Sequence, residues 1–269
     1  VQGRALSLPR LLLVEDDASI RRFVTMALED CELDTVQADS LKSAIQALRS
    51  GPFALVLCDL MLPDGSGLEL LRALAGADSP SPDAWRVAFS AGVSGGTRQQ
   101  LLALGVHEVL AKPTSLAALL SCVQTGLAAA QAKAASGAAQ WAPSAAQGGP
   151  QGGPHSDLDD AVVRYFGGHR GLYDAYAAQC HVQFGHDATL ADAAAASQDM
   201  PALRRLAHSL KTVLLTLGHS DDAALALAAE QAAEAGQRTL AWAHWDRLRA
   251  RLRLLAAAAP GHAGSPTKP

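Results

Sequence analysis

Five short apolar runs punctuate the first 130 residues, and each gives way to a stretch with helical spacing. RLLLVE (10–15), LDTVQA (33–38), FALVLCD (53–59), WRVAFS (85–90) and VHEVLA (106–111) read as strands. FALVLCD is apolar without alternation, the pattern of a strand buried on both faces. Helices are predicted after the first run to about Cys31, after the second, from about Ser66, from about Ser94, and over 113–132. Strands alternating with helices predict a parallel sheet covered on both sides. The last of these helices carries no charge between Lys112 and Lys133 and is long enough to span a bilayer. Pro113, Ser115, Ser121, Gln124 and Gln131 make it too polar for that. Leu116, Leu119, Leu120, Val123 and Leu127 share one face, so an amphipathic helix is expected and no membrane insertion.

The pattern then changes. Residues 131–156 are Ala, Gly, Gln and Pro with almost no charge, the composition of a flexible linker. From Asp157 no strand pattern appears. Helical runs follow one another over about 157–167, 169–185, 188–197, 200–217, 221–235 and 239–258. Short connections and leucine-rich faces predict an up-and-down bundle, four-helix-bundle-like. Residues 259–269 form a polar tail expected to be disordered. The predicted organisation is therefore an α/β domain over 9–130, a linker, and an all-α domain over 157–258.

Composition narrows the function classes. The net charge of −4 lies wholly before residue 130, with 10 basic against 14 acidic residues; the remainder is balanced at 12 of each. Neither half carries the basic field that phosphate backbones demand, so no DNA is expected as a partner. The four cysteines are scattered without CxxC spacing, which favours small buried thiols over a metal site. VQGRALSLPR lacks the apolar core of a secretory leader, which sets the expectation of a cytoplasmic protein.

Candidate chemistry gathers at strand ends. Asp16 and Asp17 close the first strand, Asp59 the third and Ser90 the fourth, and Lys112 follows the fifth. In an open parallel sheet ligands bind outside the carboxyl ends of strands, so these residues would share one rim. Three carboxylates at close quarters repel and need a hard cation. An oxygen-only donor set suits Mg2+, and a carboxylate beside Mg2+ and a lysine can accept a phosphoryl group.

VEDD (14–17), DLMLPDGSGLELL (59–71), FSAG (89–92) and LAKP (110–113) together resemble the receiver domain of two-component response regulators, over about residues 9 to 130. The resemblance implies a flavodoxin-like doubly wound (βα)5 fold with Asp59 as phosphoacceptor. Asp16, Asp17, Asp59 and the backbone carbonyl of Met61 would hold Mg2+. Ser90 and Lys112 would bind the phosphoryl oxygens, with a cis Lys112–Pro113 bond. Ser90 also belongs to the family's switch, whose aromatic partner three residues before the lysine is here Val109. The family's usual ring rotation is therefore not expected.

In the second half, RRLAHSLKTVLLTLG (204–218) reads as a helix with Pro201 near its start and Gly218 past its end. At 100° per residue, Leu203, Leu206, Leu210, Val213, Leu214 and Leu217 form a core stripe, while Arg204, Arg205, Lys211, Thr212 and Leu215 surround His208 on the other side. His208 is expected to project from the bundle among cations. H-x-L-K, a glycine ten residues after the histidine, and a following helix containing Glu230 resemble the histidine phosphotransfer (HPt) domain, over about 157–258. The resemblance implies His208 as a second phosphorylated residue, with Lys211, Arg204 and Arg205 beside it. Thr212 and Leu215 stand where the family has small residues, which would restrict how closely a partner approaches.

No GxxxxGK[ST] loop is present to draw phosphate from ATP. Taken together, the two resemblances imply a bacterial phosphorelay protein rather than a turnover enzyme. It would promote Mg2+-dependent phosphorylation and dephosphorylation of its own receiver. Its partners would be a histidine kinase, possibly a hybrid one, and other receiver or HPt domains. The alternative is a regulator whose degenerate bundle binds a partner without phosphotransfer.

Overall fold

The computed structural model describes residues 8–92, 95–136 and 157–258. The chain divides into two compact units, one on either side of the 137–156 segment. That segment, most of the predicted linker, lies outside the described residues, as does the predicted tail.

In the first unit, strands β1 (Arg10–Val14), β2 (Asp34–Ala38), β3 (Leu55–Asp59), β6 (Trp85–Ser90) and β7 (Glu108–Ala111) form one parallel sheet in the order β2-β1-β3-β6-β7. A two-residue-strand hairpin, β4 (Met61–Leu62) with β5 (Gly65–Ser66), follows β3. Sequence periodicity did not signal this hairpin, because two residues per strand show no alternation. Helices α1 (Ala18–Ala27), α2 (Leu41–Leu48), α3 (Gly67–Ala75), α4 (Gly95–Ala103) and α5 (Leu116–Ser136) connect or follow the strands. This is the flavodoxin-like doubly wound order, with its switch point between β1 and β3.

The central strands β1, β3 and β6 are buried on both faces, as continuous apolar runs require, whereas the edge strands β2 and β7 are partly exposed. Leu12, Val14, Val56, Cys58 and Ala88 pack with Leu41, Ala44, Leu48, Leu70, Leu71, Leu74 and Leu101 on α2, α3 and α4. α5 covers β3, β6 and β7 on the other side, with Leu119, Cys122 and Val123 buried. α5 runs through Ser136, six residues into the predicted linker. Its Ala-rich end carries strong helix formers, so the composition read as linker also propagates a helix.

Gly126 marks where α5 touches the sheet. A Cβ there would meet the Trp85 ring at 2.8 Å and Leu55 Cδ1 at 2.9 Å. On an open helix Gly→Ala gains up to ~1 kcal/mol. Here overpacking against a rigid indole costs ~1–3 kcal/mol, so Gly126→Ala should lower the urea midpoint. A raised midpoint would contradict this packing.

The second unit holds α6 (Asp157–Phe166), α7 (Arg170–Ser197), α8 (Met200–Thr216), α9 (Ser220–Glu234) and α10 (Arg238–Ala257). The predicted break near residue 186 does not occur. Gly185 sits inside α7, where the cost of a helical glycine, about 1 kcal/mol, is outweighed by burial of Phe184, Ala188 and Ala191 around it. α7, α8, α9 and α10 pack in sequence and α10 returns to α7, with α6 against α7 and α8. Short turns between successive helices make neighbours antiparallel, as in an up-and-down bundle. Phe166, Tyr176, Phe184 and Trp245 fill its core, and fully buried Ala191, Ala207, Ala226, Ala229 and Ala241 let the helices approach closely. Asp199 caps α8 by accepting from Ala202 N at 2.9 Å.

Candidate functional site

The sheet register delivers the first site. Val14 lies beside Cys58, Asp59 beside Phe89, and Ser90 beside Ala111. The residues that end β1, β3, β6 and β7 therefore meet on one rim at the switch point. Lys112 N donates to Ser90 O at 2.9 Å, extending the β6–β7 ladder by one residue. The Lys112–Pro113 bond is cis, as the resemblance implied.

Lys112 Nζ donates to Asp59 Oδ2 at 2.8 Å and to Glu15 Oε2 at 2.5 Å, all three side chains being buried. It also lies 4.7 Å from the centre of the Phe89 ring. Burial alone would lower the lysine's pKa, but Glu15 and Asp59 outweigh it and hold the ammonium protonated. The second oxygen of Asp59 accepts from Met61 N at 3.0 Å. Ser90 Oγ donates to the Gly92 carbonyl at 3.1 Å. Val109 is half-buried against the α2–α3–α4 core.

The acidic group differs from the expected one by one residue. Glu15, Asp16 and Asp59 place carboxylate oxygens within 4.8 Å of one another; Asp17 is outside the group. Glu15 N donates to Ala38 O at 3.0 Å, so the ladder continues one step past β1 and Glu15, not Asp16, is the first residue on the rim. Asp17 instead starts α1: its carbonyl accepts from Arg21 N at 3.0 Å, the N-cap position. Arg21 braces the turn by donating from Nη1 to the carbonyls of Glu15 and Asp16. Reading the apolar run one residue too long hid Glu15; no local pattern signalled Arg21.

The electrostatics test the fit of a cation. Burial first, then repulsion from Asp59 and Asp17, pushes the Asp16 carboxyl up to about 6. Burial likewise drives Glu15 well above the usual carboxylate range, although Lys112 opposes it. Three carboxylates against one ammonium leave a formal charge of −2 in a water-poor pocket, with oxygen donors only. These residues fit a hard divalent cation such as Mg2+.

The second site lies on α8. His208 does not project into solvent; it is 9% exposed, and its Nδ1 lies 2.5 Å from Glu230 Oε1 on α9. Lys211 Nζ donates to the other oxygen, Oε2, at 2.6 Å. Burial raises the Glu230 carboxyl, but the hydrogen bonds from His208 and Lys211 outweigh it and hold it below the usual range. An ionised carboxylate only accepts, so Nδ1 carries the proton and, in the neutral ring, Nε2 carries the lone pair. Arg204 is turned away to Glu234 at 2.8 Å, while Arg205 is half-buried. The expected ring of cations around His208 is thus one carboxylate with one lysine. Thr212 is buried and Leu215 half-buried on the same helix.

Among the described residues no helix is long and apolar enough to cross a membrane. None of the four cysteines forms a disulfide, and three are buried.

Residues 11–124 match the response regulator receiver domain family. The chain is similar to the response regulator protein PilR of Pseudomonas aeruginosa, 35% identical over 122 residues, covering 45% of this chain and 27% of PilR. It is also similar to the response regulator receiver protein CpdR of Brucella abortus, 41% identical over 63 residues, covering 23% of this chain and 52% of CpdR. The phosphate regulon transcriptional regulatory protein PhoB of Escherichia coli is 34% identical over 106 residues, covering 39% of this chain and 46% of PhoB. The chain thus spans between about a quarter and a half of these relatives. Among solved structures, a CheY-like receiver domain from Methanospirillum hungatei is 24% identical with a TM-score of 0.44, covering 47% of this chain and 99% of that one. The helical unit lies outside the family match. With the sheet order, the acidic rim and this match in agreement, residues 11–124 are a two-component response regulator receiver domain.

Proposed function

We propose that this chain is a phosphorelay protein of a two-component system, in which a histidine kinase supplies a phosphoryl group to Asp59 and the helical unit carries it on His208. The observation that carries the receiver half is the buried pairing of Asp59 with Lys112 beside Glu15 and Asp16. Glu15, Asp16 and Asp59, with the Met61 carbonyl, would hold Mg2+, whose charge offsets the carboxylates and the phosphoryl oxygens. Lys112 is placed to follow charge from the carboxylate to the phosphoryl group, and Ser90 Oγ to donate to a second oxygen. An Asp59 oxygen bonds to phosphorus as the donor's bond to phosphorus breaks, the leaving group keeping the electron pair. With Val109 in the aromatic's place, the output does not use ring rotation.

The observation that supports the relay half is the hydrogen-bonded set His208–Glu230–Lys211. Glu230 fixes the ring so that Nε2 presents its lone pair. On transfer, the nitrogen–phosphorus bond forms at Nε2 as the aspartyl oxygen–phosphorus bond breaks and the carboxylate leaves with the pair. The proton stays on Nδ1, hydrogen-bonded to Glu230, whose negative charge stabilises the cationic ring. The same groups serve either direction of flow.

Acetyl phosphate and intact-mass measurement test the receiver step. One phosphoryl group should add to the protein in Mg2+, and both chelation and Asp59→Asn should remove it. Unchanged modification after chelation would contradict the metal assignment.

A further inference from the structure

Four threonines inside helices of this chain spend their hydroxyl on the backbone one turn back. Thr25 Oγ1 donates to Arg21 O, Thr125 to Ser121 O, Thr189 to Gly185 O and Thr216 to Thr212 O, all at 2.8–3.0 Å. Such back-bonding is the default for a helical threonine. Thr212 breaks the pattern. Its residue is 3% exposed, and its Oγ1 is buried without any hydrogen-bond partner. The acceptor it leaves unused is the carbonyl of His208, four residues earlier.

A buried hydroxyl without a partner costs ~1–3 kcal/mol, a cost that a partner from outside the fold would remove. Helix geometry says where that partner sits. Residues four apart are neighbours on one face, and each Cα–Cβ bond tilts toward the helix N-terminus, so the Thr212 side chain leans over the turn that bears His208. Glu230 occupies Nδ1, which leaves Nε2 as the ring atom open to modification. A phosphoryl group carried on Nε2 would bring three acceptor oxygens to the turn over which the Thr212 side chain leans.

We infer that Thr212 Oγ1 donates a hydrogen bond to a phosphoryl group on His208 Nε2, so that Thr212 is a phosphoryl-binding residue of this unit. This rests on the reading of His208 as a phosphoacceptor. The hydroxyl and Lys211 then divide the work. Lys211 is engaged by Glu230 and acts through the ring's partner, whereas Thr212 touches the transferred group itself. The bulk that Thr212 adds beside His208 is a binding contact rather than an obstruction.

The test uses the full chain and the small donor phosphoramidate, with Thr212→Val as the isosteric variant without the hydroxyl and Thr212→Ser as the variant that keeps it. Thr212→Val should fold as stably as the parent or more so, because it removes an unpaired buried donor. Its steady-state phosphohistidine should fall about tenfold, the size of a lost hydrogen bond to a charged group. The 31P titration of its remaining phosphohistidine should shift to higher pH, a change that loss of packing alone would not produce. Thr212→Ser should stay within about twofold of the parent. Parent-like phosphorylation and an unshifted titration in Thr212→Val would overturn the inference while leaving His208 as acceptor. No label on the parent that His208→Gln removes would overturn the reading of His208 and this inference with it.

Discussion

Replacing Gly67 by alanine should abolish phosphorylation of Asp59 at the conditions that modify the parent, and should destabilise the receiver by about 2–4 kcal/mol. Gly67 opens α3 directly above the end of β3. A Cβ there would lie 1.9 Å from the Asp59 carbonyl oxygen and 2.9 Å from both the Asp59 carbonyl carbon and Cys58 Sγ. Two of these are backbone atoms and the third is the fully buried Cys58 thiol, so the closest clash, with the Asp59 carbonyl, cannot be relieved by a side chain swinging aside. The strand end must move, and it carries the carboxylate that Lys112 and Met61 N hold in place. Acetyl phosphate labelling and urea unfolding of Gly67→Ala check both parts. Parent-like labelling would show that the rim tolerates displacement of β3.

Asp16→Asn should have the opposite effect on stability. The Asp16 carboxyl is held at about 6 by burial, then by Asp59 and Asp17. An acid whose folded pKa is raised keeps its proton more tightly folded than unfolded, so ionising it costs stability. That cost is absent below the unfolded value near 4, grows as pH rises, and is complete above about 6. Without Mg2+ the parent should therefore lose stability from this group between about pH 4 and 6. Asp16→Asn should be the more stable protein at pH 8, on the order of 2 kcal/mol. Mg2+ binds the ionised carboxylates only and should stabilise the parent at pH 8 far more than the variant. Thermal unfolding at pH 8 with and without Mg2+ measures both quantities. A metal-free variant less stable than the parent, or an equal response to Mg2+, would contradict the carboxylate assignment.

Much of the receiver was legible because the central strands β1, β3 and β6 are short apolar runs that end at the rim. FALVLCD and WRVAFS place Asp59 and Ser90 at the ends of β3 and β6, since each run stops on that residue. RLLLVEDD leaves its strand end open, because three acidic residues follow the run and only the ladder bond from Glu15 to Ala38 shows where the strand stops. An acidic residue one place later caps a helix, and cap and ligand look alike in sequence. In the bundle the leucine stripe of α8 was correctly placed on the core side, and Leu203, Leu210 and Leu214 are fully buried. The environment of His208 was not legible. Helical spacing lists neighbours on the same helix, whereas its decisive partner, Glu230, arrives from α9, 22 residues later. Arg204 looked like a neighbour by angle alone, yet a longer-range partner, Glu234, holds it elsewhere.

A relay requires a phosphoryl group to move between Asp59 and His208, and the chemistry of the two linkages separates the two phosphorylated residues. Aspartyl phosphate is lost in base, whereas phosphohistidine survives base and is lost in acid. Labelled acetyl phosphate with Mg2+ should place both base-labile and base-stable label on the intact chain. His208→Gln should keep only the base-labile fraction, and Asp59→Asn should lose both. Label that stays base-labile on the parent, with none appearing on His208, would contradict the relay and leave the helical unit as a partner-binding module.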